Sequence, residues 1–248
     1  MIRELARVEE VRSACGDDDL AVWAAQRLDG GARAWALGDA VVAACPGLAH
    51  RDRLVVTGGT ACAVELVRFA LAELGGSYRP MGSASLLEEL ALKVEGLEIG
   101  GRFSWMSLPA PPLGDDDGWP GVGWLPVSEE GEVAALLAVH APSSYAQPGM
   151  AAVRRWAGVR VEGELASVAA DAWSTPSVGL LAGVATVARH RGAGLAARVC
   201  GWLAGELVAE HGRAALMVDD ENAAALAVYA RLGFSRRRLA VGWLPALA

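Results

Sequence analysis

The sequence predicts an α/β protein, a mixed sheet with helices packed on it, and three observations carry that expectation. Apolar residues make up 53% of 248 but fall in short blocks. Blocks of strand period alternate with blocks of helix period, and turns bearing glycine or proline separate them. The length suits one large domain or two ordinary ones. One seam stands out, from Leu108-Pro109-Ala110-Pro111-Pro112 through Gly114-Asp115-Asp116-Asp117-Gly118 to Pro120, where no hydrophobic period survives. It reads as a linker or long surface loop. The expected domains are therefore 1–112 and 113–248.

In the first part, Ala32 to Leu37 and Ala40 to Cys45 flank the Gly38-Asp39 turn as strands, and Arg53 to Thr57 is a third. Ala61 to Leu74 and Ser83 to Leu92 have helical spacing, and Gly101 to Leu108 returns as a strand. In the second part, Val133, Leu136, Leu137 and His140 fall at i, i+3, i+4 and i+7, which predicts a helix over Glu129 to His140 capped by Ser128. Pro142 and Gln147-Pro148-Gly149 break the chain around Tyr145. Strands follow at Arg155 to Val161 and Leu165 to Ala172, joined through Glu162-Gly163-Glu164, and then at Val178 to Val187. A helix to about Glu210 carries Leu195, Val199, Trp202, Leu203 and Leu207 on one stripe. Arg213 to Asp219 is strand-like, Ala223 to Arg231 is helical and closes at Gly233, and Leu239 to Leu244 forms a last strand. The two parts share this order of elements without a repeat at residue level.

Composition excludes several functions. A net charge of -7 argues against nucleic acid as a partner, which calls for clustered basic residues, and mildly favours a neutral or cationic substrate. Cys15, Cys45, Cys62 and Cys200, and likewise the four histidines, are scattered without metal-ligand spacing, so no metal is expected. No apolar run reaches the ~20 residues of a membrane span. Met1-Ile2-Arg3-Glu4-Leu5 has no basic flank leading into an apolar stretch. The expectation is a soluble, cytoplasmic protein without a membrane partner, a monomer or homodimer.

The segment that carries chemistry is Val184-Ala185-Thr186-Val187-Ala188-Arg189-His190-Arg191-Gly192-Ala193-Gly194-Leu195-Ala196-Ala197. A buried strand enters a turn of small residues, and a helix starts at once. First-turn amides have no internal acceptors and the helix dipole is positive there, so the turn favours a pyrophosphate. Glycine lets backbone approach the oxygens, and Arg189 and Arg191 supply guanidinium forks suited to phosphate. Alone the turn also fits a dinucleotide site or an ordinary tight turn.

Further along stands Asp219-Asp220-Glu221-Asn222, then Tyr229 seven residues after Asn222, then Leu232-Gly233-Phe234. With Arg191, Gly194 and Ala196 as an R-x-x-G-x-A loop, this order resembles the GNAT superfamily of acyl-CoA-dependent N-acetyltransferases from Val178 to Phe234. The resemblance implies a C-terminal GNAT fold, acetyl-CoA as acyl donor, and transfer to a primary amine of a small-molecule acceptor through a tetrahedral intermediate. By it, backbone of Val184, Ala185 and Thr186 pairs with the pantetheine arm, Gly192, Ala193, Gly194, Leu195, Ala196 and Ala197 receive the pyrophosphate, and Asn222 contacts the cofactor arm. Tyr229 protonates the departing thiolate. Asn222 is also a helix cap in this reading, and Tyr229 has the alternative of a half-buried aromatic.

Two positions depart from the family pattern. Met217 stands where some members carry an acidic base, and Ala188 where proline is common. The base is thereby open among Asp171, Asp219, His140 and relayed water. Acceptor-lining candidates are Tyr145, Asp171 and Trp173, within 143–147 and 171–174. The first part has Gly58-Gly59 after its strand but no neighbouring arginine, nor an Asn and Tyr pair, and is expected to be a degenerate, non-catalytic GNAT-like α/β domain. Without a base, an acyl-CoA sensor that performs no chemistry is the rival reading.

Overall fold

The computed structural model describes residues 1–112 and 119–245; the aspartate-rich part of the expected linker, 114–118, lies outside them. The first part forms β1 (Arg3–Leu5), α1 (Val8–Ala14), α2 (Asp19–Ala24), β2 (Arg33–Leu37), β3 (Ala40–Leu48), β4 (Arg51–Thr57), α3 (Thr60–Leu74), β5 (Arg79–Ser83), α4 (Ala84–Lys93) and β6 (Glu98–Leu108). The second forms β7 (Val122–Trp124), a 3-10 turn at Val127–Glu129, α5 (Glu130–His140), β8 (Val153–Val161), β9 (Glu164–Ala172), β10 (Gly179–Thr186), a 3-10 turn at Ala188–His190, α6 (Leu195–His211), β11 (Ala214–Asp219), α7 (Ala223–Arg231) and β12 (Ser235–Trp243). Two compact units result. One holds Met1–Trp105 together with the chain from Arg237 onward, and the other holds Met106–Arg236.

In the first unit β1, β2, β3 and β4 pair antiparallel in sequence order. The crossover through α3 then brings β5 parallel to β4, with Leu54 opposite Pro80. β12 returns antiparallel to β5, Ala240 opposite Gly82. Its core joins Leu54 and Val56 of the sheet to Leu66 and Val67 of α3 and Leu87 and Leu90 of α4. Asp18 caps α2 by accepting from Ala21 N at 2.9 Å and also pairs with Arg237 of β12.

In the second unit β7, β8, β9 and β10 are antiparallel neighbours, and the crossover through α6 lays β11 parallel to β10. Leu195, Val199, Leu203 and Leu207 of α6 pack with Leu181, Leu216, Tyr229 and Phe234 in one core. The stripe read from the sequence therefore buries as its period requires. α5 buries Val133, Leu136 and Leu137; it packs on β9 and β10 outside that core, on the opposite face of the sheet. Among the described residues no helix is long and apolar enough to cross a membrane.

Three local readings need correction. Ser128 lies inside the 3-10 turn, and the position before α5 is Glu129, whose side chain makes no cap bond. The last strand begins at Ser235 rather than Leu239. β5 was missed because Arg79-Pro80-Met81-Gly82-Ser83 breaks strand preference with proline and glycine, although its middle three residues are buried.

Asp18 does two jobs, so its replacements separate them. Asp18→Ala is expected to cost about 2 kcal/mol from the lost cap and ion pair together, and Asp18→Asn, which keeps a capping oxygen, about half of that. Denaturant midpoints of the three proteins test this.

Candidate active site

β10 and β11 pair only from Gly179↔Ala214 to Leu181↔Leu216. On its other edge β10 continues along β9 as far as Thr186↔Ser167, with a register shift between Ala182 and Ala185. An extra residue on one strand bends it, so beyond Leu181 the two parallel strands part. Gly183 makes the bend, at φ +62°. A Cβ there would lie 2.6 Å from Trp156 Cη2 and 3.1 Å from Ala146 Cβ, so no other residue fits. From Val184 to Thr186 the β11-facing edge of β10 consequently has no strand partner. Ser167 holds their other side, its Oγ donating to Ala185 O at 3.0 Å and lying 2.8 Å from Thr186 Oγ1.

At the wide end of this cleft the chain turns into α6. Gly194 occupies the cap position at φ +77° and no side chain caps the helix, which leaves the amides of Leu195, Ala196 and Ala197 without side-chain acceptors. Gly192 and Gly194 face open space, where even an added Cβ would meet nothing within 4 Å. A helix start with bare amides, positive dipole and room around it is suited to a phosphate group. Arg191 donates to Thr186 O at 3.3 Å and His140 O at 3.4 Å, tying the turn to the strand and to the end of α5. Arg189 pairs with Glu164. That contact and His190 hold the Glu164 carboxyl below the usual carboxylate range. Arg189 is 64% exposed, so its guanidinium is accessible at the rim.

Asn222 caps α7, its Oδ1 accepting from Ala225 N at 3.1 Å, and is exposed. Tyr229 is buried to 6% exposure, edge-on to Phe234. Burial pushes its phenol well above the ordinary tyrosine value, and a hydrogen bond to the Cys200 thiol adds to that. Burial also pushes the Cys200 thiol up to about 12. Met217 is half-buried and Asp219 exposed.

Asp171 does not line an open site. It is fully buried, with Arg154 Nη1 and Arg155 Nε each 3.2 Å from Oδ2 and Ser174 Oγ 2.5 Å from Oδ1. Ser174 Oγ in turn accepts from Leu180 N at 2.8 Å. Glu210 takes the outer side of both guanidiniums. This network anchors the closed end of the cleft, which corrects the reading of Asp171 as base or lining residue. Its Oδ2 is committed to the two guanidiniums and its Oδ1 to the Ser174 hydroxyl. Asp171, Glu210 and His211 approach one another closely enough to ligate an ion, but the two arginines already balance the carboxylates. Tyr145 is 54% exposed and Trp173 is buried.

Arg154, Arg155, Glu210, Trp156 and Gly183 were not picked out from the sequence, and Ser174 only as part of the 171–174 stretch. Only Gly183 had a signal, a lone glycine inside an apolar strand, which marks a bulge.

A family model described as FR47-like protein matches residues 157–244, about a third of the chain. A structure of a GCN5-related N-acetyltransferase from Kribbella flavida superposes with TM-score 0.59, at 20% identity over 91% of this chain and 96% of that one. Another, a GCN5-related N-acetyltransferase from Sphaerobacter thermophilus, has TM-score 0.57 at 14% identity, covering 97% and 94%. The fold is that of the GNAT superfamily. No curated protein matches the sequence.

Replacing Asp171 by Asn leaves Arg154 and Arg155 facing a neutral group at a buried site. The expected loss is about 2 kcal/mol of unfolding free energy, measurable in urea, because Glu210 still pairs with both partly exposed guanidiniums. An unchanged midpoint would mean that the closed end of the cleft has another anchor.

Proposed function

We propose that the chain is an acyl-CoA-dependent N-acyltransferase, moving acetyl from acetyl-CoA to a primary amine of a small-molecule acceptor. The observation that carries the reading is the parting of β10 and β11 at the Gly183 bulge, aimed at the uncapped start of α6. A strand edge left without a strand partner suits an amide-bearing arm such as pantetheine, and the helix start suits the pyrophosphate at its far end. In this reading Val184, Ala185 and Thr186 pair with the arm. Gly192 to Ala197 hold the pyrophosphate, with Arg189 and Arg191 at its rim, and Asn222 flanks the arm. The amine lone pair attacks the thioester carbonyl and forms the C–N bond, an amide N–H at the bulge stabilises the oxyanion of the tetrahedral intermediate, and the C–S bond breaks as that intermediate collapses. Tyr229 delivers the proton that the thiolate takes up. Its raised pKa keeps it protonated across the neutral range. The amine loses its proton to water or to a group still unassigned.

The first unit repeats the sequence of three antiparallel strands, crossover helix, parallel strand and helix. We read it as a degenerate GNAT-like domain without catalytic residues. Asp39 occupies the space beside Gly59, with Oδ2 2.5 Å from where a Cβ would stand. A carboxylate at the start of α3 repels the phosphate that such a turn would otherwise attract. The reading places the protein in the cytoplasm, as a monomer or homodimer, with no metal.

One alternative has an observation of its own. Met217 replaces an acidic side chain, and the Tyr229 phenol faces Cys200, as suits an acyl-CoA sensor that performs no transfer. Turnover separates the two. With acetyl-CoA and a panel of primary amines, an enzyme releases free thiol, and Tyr229→Phe lowers kcat by about a hundredfold or more while still binding coenzyme A. The raised phenol pKa further predicts no alkaline fall in kcat from Tyr229 below pH 10. Thiol release by no amine, with acetyl-CoA bound, favours the sensor.

A further inference from the structure

Trp156 is a large side chain in a place where the proposed reaction has little room. Across the sheet Trp156 of β8 stands opposite Ala170 of β9, and Ala170 opposite Ala182 of β10. The small Ala170 lets the indole reach over β9 to the bulge. There Cη2 and Cζ3 would lie 2.6 and 2.9 Å from a Cβ at Gly183, and the Ala146 methyl 3.1 Å from it. Trp156 is 2% exposed and Ala146 1%, so both are fixed by packing.

An acyl chain on a carbonyl held at the bulge has few directions in which to extend. Toward the closed end, Leu181 and Leu216 pair across β10 and β11. Toward α6, Leu195, Val199 and Leu203 form packed core, with Val184 against it. Along the cleft toward α6 the pantetheine arm itself is in the way. On the α5 face of the bulge, Trp156 with Ala146 closes the way.

Resting on the acyl-CoA reading above, we propose that Trp156 is a specificity residue that limits the acyl group to a short chain, acetyl or little longer. Its indole acts by volume alone, so reducing that volume opens the site to longer acyl groups.

Calorimetric titration of the full chain with free coenzyme A, acetyl-CoA and octanoyl-CoA tests this. Wild type is expected to bind acetyl-CoA at least about tenfold more tightly than octanoyl-CoA, and Trp156→Ala to remove that preference while still binding free coenzyme A. Ala146→Leu, which adds volume to the same wall and keeps the indole, is expected to weaken acetyl-CoA about tenfold relative to free coenzyme A. It serves as the test if Trp156→Ala does not fold. Equal binding of both acyl-CoAs by wild type, or a preference unchanged in the variants, overturns the gate and leaves the acyl-CoA reading standing. Failure of wild type to bind coenzyme A in any form overturns both.

Discussion

The candidate site depends on one backbone event, the departure of β10 from β11 after Leu181. Parallel strands normally continue side by side until a turn ends them, because each unpaired amide left in a dry interior costs free energy. Here the extra residue between Ala182 and Ala185 bends β10 while its β9 edge stays paired. Only glycine can make the bend, since Trp156 and Ala146 occupy the space of a side chain at 183. The result is a stretch of main chain held rigidly from one side and offered on the other.

Both ends of that stretch are secured by different physics. At the closed end, charges do it: Asp171, Arg154, Arg155, Ser174 and Glu210 tie β8, β9, the start of β10 and the end of α6 together. At the open end, packing does it, with Leu195 and Val199 seating the first turns of α6 on the sheet while the Gly194 turn stays exposed. A binding surface on such a frame needs little reordering when a ligand arrives, which lowers the entropic cost of binding.

The sequence was most informative where side-chain period and backbone chemistry agree. The α6 stripe, the β8–β9 hairpin through Glu162-Gly163-Glu164 and the glycine turn before Leu195 were all legible, because each is decided by residues near one another in the chain. α2 was not, since all six of its residues except Asp19 are buried and it has no polar face to reveal a helical period. β7, three residues long, is too short to show any period. The glycine turn of the candidate site and the Asn222 cap were legible, and the side chains that brace the site were not. Asp171 looked like a base at a strand end because nothing local announces that Arg154, Arg155 and Ser174 converge on it. Trp156 could not be told from the other tryptophans until the sheet placed it over Ala170. Long-range convergence of this kind is set by register, which no local pattern encodes.

The turn at Gly192 to Ala197 is proposed to receive the pyrophosphate of an acyl-CoA. Calorimetry with acetyl-CoA, and separately with NAD, on wild type and on Gly194→Glu tests it most directly. Glutamate at that position brings a side chain to a φ +77° backbone and a negative charge to the start of α6. The account predicts that wild type binds acetyl-CoA and not NAD, and that the variant binds neither. Acetyl-CoA binding by the variant at wild-type affinity, or none by wild type, would contradict it and leave the glycine turn a purely structural feature.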